Sequence, residues 1–152
     1  MNTSDYTGPH RFSMPAWISC APFEQMLGIE IIEAEAGEAI LRMPFVKSLA
    51  QGAGLMHGGA MVSLADTAVV MAIKSVVAPR THFATISMEN RFFYPVKQGI
   101  LEAKASVSER DGSTIKGTCD IFDHKDRKVM IFESVFKIAR DAEIKDIVYG
   151  KA

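Results

Sequence analysis

Cysteine is scarce in this chain: Cys20 and Cys119 are the only two in 152 residues. They form no CxxC pair and no disulfide framework, which fits a reducing compartment. The four histidines, His10, His57, His82 and His124, lack metal-ligand spacing, so neither a metal nor another cofactor is expected. Charge of one sign is also missing. Seventeen basic and eighteen acidic residues are spread along the chain and sum to −1, leaving no basic tract for nucleic acid. The opening MNTSDYTGPHRF has no apolar run of the signal-peptide kind, so the Asn2-Thr3-Ser4 sequon reads as chance and a cytoplasmic location is expected. Gly52, Gly54 and Gly58 are followed by no Walker lysine and no dinucleotide pattern. Ser63 and Ser75 sit in no nucleophile motif, which disfavours a serine hydrolase.

What the sequence does hold is apolar material, 48% of its residues, concentrated in one stretch. Residues 51–77 read QGAGLMHGGAMVSLADTAVVMAIKSVV, a glycine-rich approach followed by about nineteen residues of helical character. Apolar residues from Ala60 to Val77 leave no polar face, the mark of a buried helix. Asp66 and Lys74, with the many small residues, argue against a membrane span. Asp66 is the one acid within it.

Around this helix the chain reads as a single domain over 15–152, preceded by a loose polar arm at 1–14. Trp17, Ile18, Phe23, Met26 and Leu27 lie at helical intervals, with Pro22 bending or restarting the helix and Gly28 stopping it. Ile29, Ile31 and Ala34 alternate with glutamates; Gly37 marks a turn, residues 39–43 return as a strand, and Pro44 closes it. Residues 45–55 form the loop delivering the long helix. Strands follow at 82–94, at 101–108 with regular apolar and polar alternation, at 115–121 and at 129–138, with turns at 110–112 and 123–127. The tail reads as a short helix or a frayed end. The class is α+β: consecutive hairpins make an antiparallel sheet. A helix apolar on every side needs that sheet to curve around it, with a second copy covering the rest.

At this point the residues carry a pattern. HGGAMVSLADTA at 57–68, followed by NRFFYPVKQG at 90–99, resembles the hotdog-fold acyl-CoA thioesterases of the phenylacetic-acid-degradation (PaaI-like) type, over residues 24–138. The specific parts are the His-Gly-Gly step, an acid seven residues after the second glycine, the Leu-Ala-Asp setting and the Tyr-Pro-Val-x-x-Gly. The resemblance implies a curved sheet around a central helix, sheets paired in a homodimer or homotetramer, and acyl-CoA hydrolysis at the subunit interface without nucleic acid or membrane. It implies Asp66 as catalytic carboxylate, the Gly58 N–H as polariser of the thioester carbonyl, His57 beside it, Gln51 orienting thioester or water, and Thr85 holding the water. Gly59, Met56, Met61 and Arg91 are the candidate substrate-binding residues. Lys97 and Arg110 join Arg91 as cations that could meet CoA phosphates, and each also reads as a solvated charge.

The chemistry wants such residues. A carboxylate serves as base or nucleophile. An N–H at the positive end of a helix, unpaired within it, suits a developing oxyanion. Spacing adds a constraint. Eight residues at about 1.5 Å rise put Gly58 and Asp66 about 12 Å apart along one helix. Reacting atoms approach to about 3–3.5 Å. One chain's pair can hardly meet on one thioester, so Gly58 of one chain is expected to face Asp66 of its partner. A non-catalytic acyl-CoA binding module and a hydratase or dehydratase on the same fold are the rival readings.

Overall fold

A computed structural model describes residues 6–150. In order these form β1 (Phe12–Met14), α1 (Pro22–Met26), β2 (Glu30–Glu35), β3 (Glu38–Pro44), a 3-10 turn (Lys47–Leu49), α2 (Gly58–Lys74), β4 (Thr81–Phe92), β5 (Ile100–Asp111), β6 (Thr114–Phe122), β7 (Lys128–Glu143) and β8 (Ile147–Tyr149). Six strands make one antiparallel sheet in the order β2-β3-β5-β6-β7-β4.

Local chemistry accounts for the joints. Gly28, at φ 74°, ends α1: its N–H donates to the Gln25 carbonyl at 3.1 Å while the Ile29 N–H donates to the Glu24 carbonyl at 3.0 Å. That pair of bonds is the Schellman arrangement, which needs a left-handed residue after the helix. The β2–β3 turn places Ala36 and Gly37 both at positive φ, as a two-residue turn with the twist of its strands requires. A bulge between Ile31 and Glu33 puts Ile31 and Ala34 on the same face, which reconciles the irregular spacing read from the sequence.

The sheet curls around α2, which packs on β3, β5, β6 and β7. Leu64, Ala65, Ala68, Val69, Ala72 and Ile73 are fully buried, and meet a layer that includes Leu41, Leu101, Ile115 and Ile121. The approach is close: a Cβ on Gly117 of β6 would lie 2.4 Å from Val69 Cγ1. At its C-terminal end α2 is fastened three ways. Trp17 Nε1 donates to the Lys74 carbonyl at 3.2 Å, Lys74 Nζ donates to the Trp17 carbonyl at 3.0 Å, and Ser75 Oγ accepts the Gly37 N–H at 2.8 Å.

Four expectations change. The helix read around 15–27 is only Pro22–Met26, because Trp17 is occupied at the end of α2 and two prolines break the segment. Residues 12–14 of the expected arm form β1, which pairs in parallel with β8; residues 1–5 lie outside the described region. The tail is neither helix nor frayed end but strand, and Tyr149 meets the Trp17 ring edge-on at 5.5 Å between centroids. Nor is α2 buried all round. Val62, Ser63, Asp66, Val70 and Lys74 form a half-open stripe, and Gly59 at its head is exposed.

Among the described residues no helix is long and apolar enough to cross a membrane.

The tight seat of α2 makes Gly117 intolerant of a side chain. Gly117→Ala should lower unfolding free energy by about 1–3 kcal/mol in urea titration, the usual cost of overpacking. Gly52→Ala, with nothing near its Cβ position, should stay within about 0.5 kcal/mol.

Candidate active site

Asp66 lies in the middle of the half-open stripe of α2 and accepts a hydrogen bond from Thr85 Oγ1 at 3.1 Å. Thr85 reaches it because β4 turns alternate residues inward: Thr85 pairs with Phe136, a core side chain, and the bulge between Thr85 and Ser87 resets the alternation. Burial pushes the Asp66 carboxyl above its ordinary range, the Thr85 hydroxyl opposes that shift, and the negative charge of Glu24 on α1 adds to it. A half-buried acid bonded by one hydroxyl is poised to exchange a proton or to attack.

The first turn of α2 supplies the second half of the chemistry. His57 is the N-cap: its Nδ1 accepts the Gly59 N–H at 2.8 Å. That bond consumes the Gly59 donor and turns His57 to a structural task. A Cβ on Gly59 would sit 2.8 Å from His57 Nδ1, so the cap depends on glycine there. Gly58, the first helical residue, makes no hydrogen bond through its N–H among the described residues. Its Cβ position faces the Phe92 ring at 3.2 Å, leaving its backbone open where a side chain would crowd.

Gly58, Gln51, Met56 and Met61 come together on one open cavity of about 360 Å³, walled on the other side by Phe92, Phe93 and Tyr94. The Gln51 side-chain oxygen accepts the Ala53 N–H, which orders the loop approaching the helix. Asp66 and Thr85 lie outside this cavity, further along the helix. Arg91 lies apart from both groups, on the outer face of β4, where it shares a cavity with Glu89 and Glu133. Among the described residues no three of His, Cys, Asp or Glu gather as a metal set.

Sequence reasoning assigned no role to Phe92 or Glu24, and used Tyr94 only as part of the Tyr-Pro-Val-x-x-Gly pattern. The aromatic pair carried a signal, since residues two apart at a strand end share a face. Glu24 carried none, because only the packing of α1 brings its charge toward Asp66.

Comparison with known proteins bears on the fold and on the class of reaction. A family model described as the thioesterase superfamily matches residues 53–130. ComA2 of Bacillus subtilis, which carries a provisional esterase name, is 30% identical over 108 residues, 70% of this chain and 86% of the relative. A Halobacterium salinarum protein with a similar provisional name is 32% identical over 127 residues, 76% of this chain and 83% of its own. Among solved structures, the Escherichia coli PaaI protein from the phenylacetic acid degradation operon superposes with a TM-score of 0.74 at 25% identity, covering 84% of this chain and 88% of that one. The fold is the hotdog fold, a curved antiparallel sheet around a long helix. The chain belongs to the thioesterase superfamily, and family and relatives together support thioester hydrolysis as its class of reaction.

The acidity of Asp66 sets a testable sign. A carboxyl whose folded-state pKa is raised above the unfolded 3.8 burdens the fold only once it must ionise. Stability is therefore lost as pH climbs from the unfolded value through the raised folded one. Asp66→Asn should melt higher than wild type at pH 7, and the difference should vanish below pH 3.8 in thermal scans.

Proposed function

We propose that the protein is an acyl-CoA thioesterase whose sites form between two copies of the chain. The Gly58 N–H polarises the thioester carbonyl, and Asp66 of the partner activates a water or attacks the carbonyl carbon itself. In the water route Asp66 takes a proton from the water, the water oxygen bonds to the carbonyl carbon, the C–S bond breaks, and CoA leaves as thiolate from the carboxylic acid that is formed. Gln51 and Thr85 orient the thioester and the water, and Met56 and Met61 line the acyl side. His57 acts through the cap that keeps Gly58 in place rather than as a base.

One observation carries the proposal. A single helix presents a free terminal N–H and a half-buried, hydroxyl-bonded carboxylate, too far apart to share one carbonyl. Two helices related by a two-fold axis resolve that separation, since each can offer its donor to the other's acid. The sheet supports such pairing. Among the described residues the strand β4 is an edge, paired only with β7, and it exposes Ile86, Met88 and Phe92 along its length. A long apolar edge invites a strand from another chain. A homodimer is the smallest assembly that meets the requirement, and a homotetramer contains it twice.

Release of free CoA from a panel of acyl-CoA esters measures the activity directly. Asp66→Ala should reduce kcat about 10²–10⁴-fold. Unchanged rates would sink the assignment, and micromolar acyl-CoA binding without turnover in wild type would instead mark a binding module.

Complementation tests the shared site. Gly58→Pro removes the donor at a position where proline suits the start of a helix, and its ring displaces the Phe92 side chain that faces this position at 3.2 Å. Mixing inactive Asp66→Ala and Gly58→Pro chains after unfolding and refolding should restore about a quarter of wild-type activity: half the dimers are mixed, and each holds one intact site of two. No recovery would confine the chemistry to one chain.

A further inference from the structure

One buried hydroxyl lacks a partner. Phe132, Ser134 and Phe136 of β7 alternate onto the inner face of the sheet, where all three are buried. The phenylalanines join the core there, whereas a polar group on such a face normally finds a hydrogen bond. Ser134 does not. Among the described residues its Oγ is the one side-chain oxygen or nitrogen closed off from solvent that meets no donor or acceptor. An unpaired buried hydroxyl costs stability, which alanine in its place would avoid.

The sheet register places this hydroxyl close to the reacting acid. The strand β7 runs between β6 and β4, and Ser134 pairs with Gly117 on one side and Met88 on the other. Val69 of α2 sits over Gly117. From Met88 the next inward residue along β4, across the bulge, is Thr85, whose hydroxyl bonds Asp66 Oδ1 at 3.1 Å. Asp66 and Val69, three apart on the helix, are neighbours on its surface. Ser134 therefore lies beneath the turn of α2 that carries the acid. Because Thr85 pairs with Phe136, Ser134 is its diagonal neighbour across the two strands. Such neighbours are about 7–8 Å apart at the backbone, too far for a direct bond to the Thr85–Asp66 pair and near enough for one water between. The second carboxylate oxygen, Oδ2, receives no hydrogen bond among the described residues.

We infer that Ser134 is a positioning residue for Asp66, holding a buried water beneath it. The Ser134 hydroxyl donates to the water, and the water donates to Asp66 Oδ2 and to the Thr85 oxygen. Three polar partners are what a buried water ordinarily has. The arrangement satisfies the orphaned hydroxyl, fixes both carboxylate oxygens, and steadies the ionised form that takes a proton in hydrolysis. The inference rests on Asp66 being the reacting acid. Of the charges on this side of the helix, Glu24 of α1 opposes ionisation of Asp66. Lys74, two turns further along α2, is turned away: its Nζ donates to the Trp17 carbonyl at 3.0 Å and lies 4.5 Å from the centre of that ring. Ser134 and Thr85 are then the two hydroxyls on which the carboxylate depends.

The test follows the Asp66 carboxyl by carbon-13 NMR in protein labelled at aspartate, with Asp66→Asn identifying its signal, and then the pH profile of kcat/KM for an acyl-CoA. Wild type is compared with Ser134→Ala and with Ser134→Cys, which fills the same place with a weaker donor. Losing a donor to the carboxylate raises its pKa, so Ser134→Ala should move the Asp66 titration up by about one unit and Ser134→Cys by less. The acid limb of kcat/KM should move with it, about a tenfold loss at a pH on that limb, with KM within about twofold of wild type. An unmoved titration would overturn the inference, and a higher melting temperature alongside it would mark Ser134 as an unpaired core hydroxyl. An activity loss equal at every pH would overturn it too. A shifted titration in a protein that releases no CoA from any acyl-CoA would uphold the bridging water and refute the hydrolytic reading.

Discussion

The structure depends on how one helix is seated. Because α2 presses against β6 closely enough that Gly117 has no room for a side chain, the sheet must curl to meet it, and a curled sheet cannot surround a helix completely. The residual stripe of Val62, Asp66 and Val70 is therefore a geometric remainder of good packing on the other side. The carboxylate occupies that remainder. Placed on the packed face it would have been an unpaired charge in the core, costly enough to threaten the fold. Placed on an open surface it would have had an ordinary acidity. The half-open stripe gives it partial desolvation and a single hydroxyl partner.

Much of this was legible in the sequence because it depends on local rules. The apolar run with a glycine approach gave α2, alternation gave β5 and β6, and Gly28, Gly37 and Gly112 marked the turns that positive φ demands. The His-Gly-Gly step and its distance to Asp66 drew attention to α2 as the candidate site helix, and Thr85 bonds Asp66. What stayed hidden depends on contacts between distant segments. The N-terminal segment contains helix-like spacing, yet Trp17 bonds Lys74, 57 residues away, and that tertiary bond outweighs the local preference. The strands β1 and β8 are three residues each and stabilise one another across nearly the whole chain, a pairing no window of sequence can display.

Electrostatics divide the molecule in a way that composition conceals. The near-neutral total averages over two differently managed regions. Around Asp66 the fold admits one acid with little compensation, and Glu24 makes its ionisation harder still. Around Asp123 it does the reverse: burial alone would raise that carboxyl, but the N–H groups of Arg127 and Lys125 and the Arg127 guanidinium together hold it below the usual range. One carboxylate is kept ionised as a structural pin, and the other is kept reluctant. The same residue type does opposite work because donors crowd around one and stay away from the other.

The two ends of α2 are held unequally. Trp17 and the β2–β3 hairpin fasten the C-terminal end, whereas His57 and a glycine-rich loop hold the N-terminal end, where the open cavities gather. In evolutionary terms the fold separates what must be kept from what can be recut. Loops at the N-terminal end can lengthen, shorten or change their side chains, and so reshape the cavity at Gly58, without loosening the C-terminal anchor that keeps the helix in its sheet.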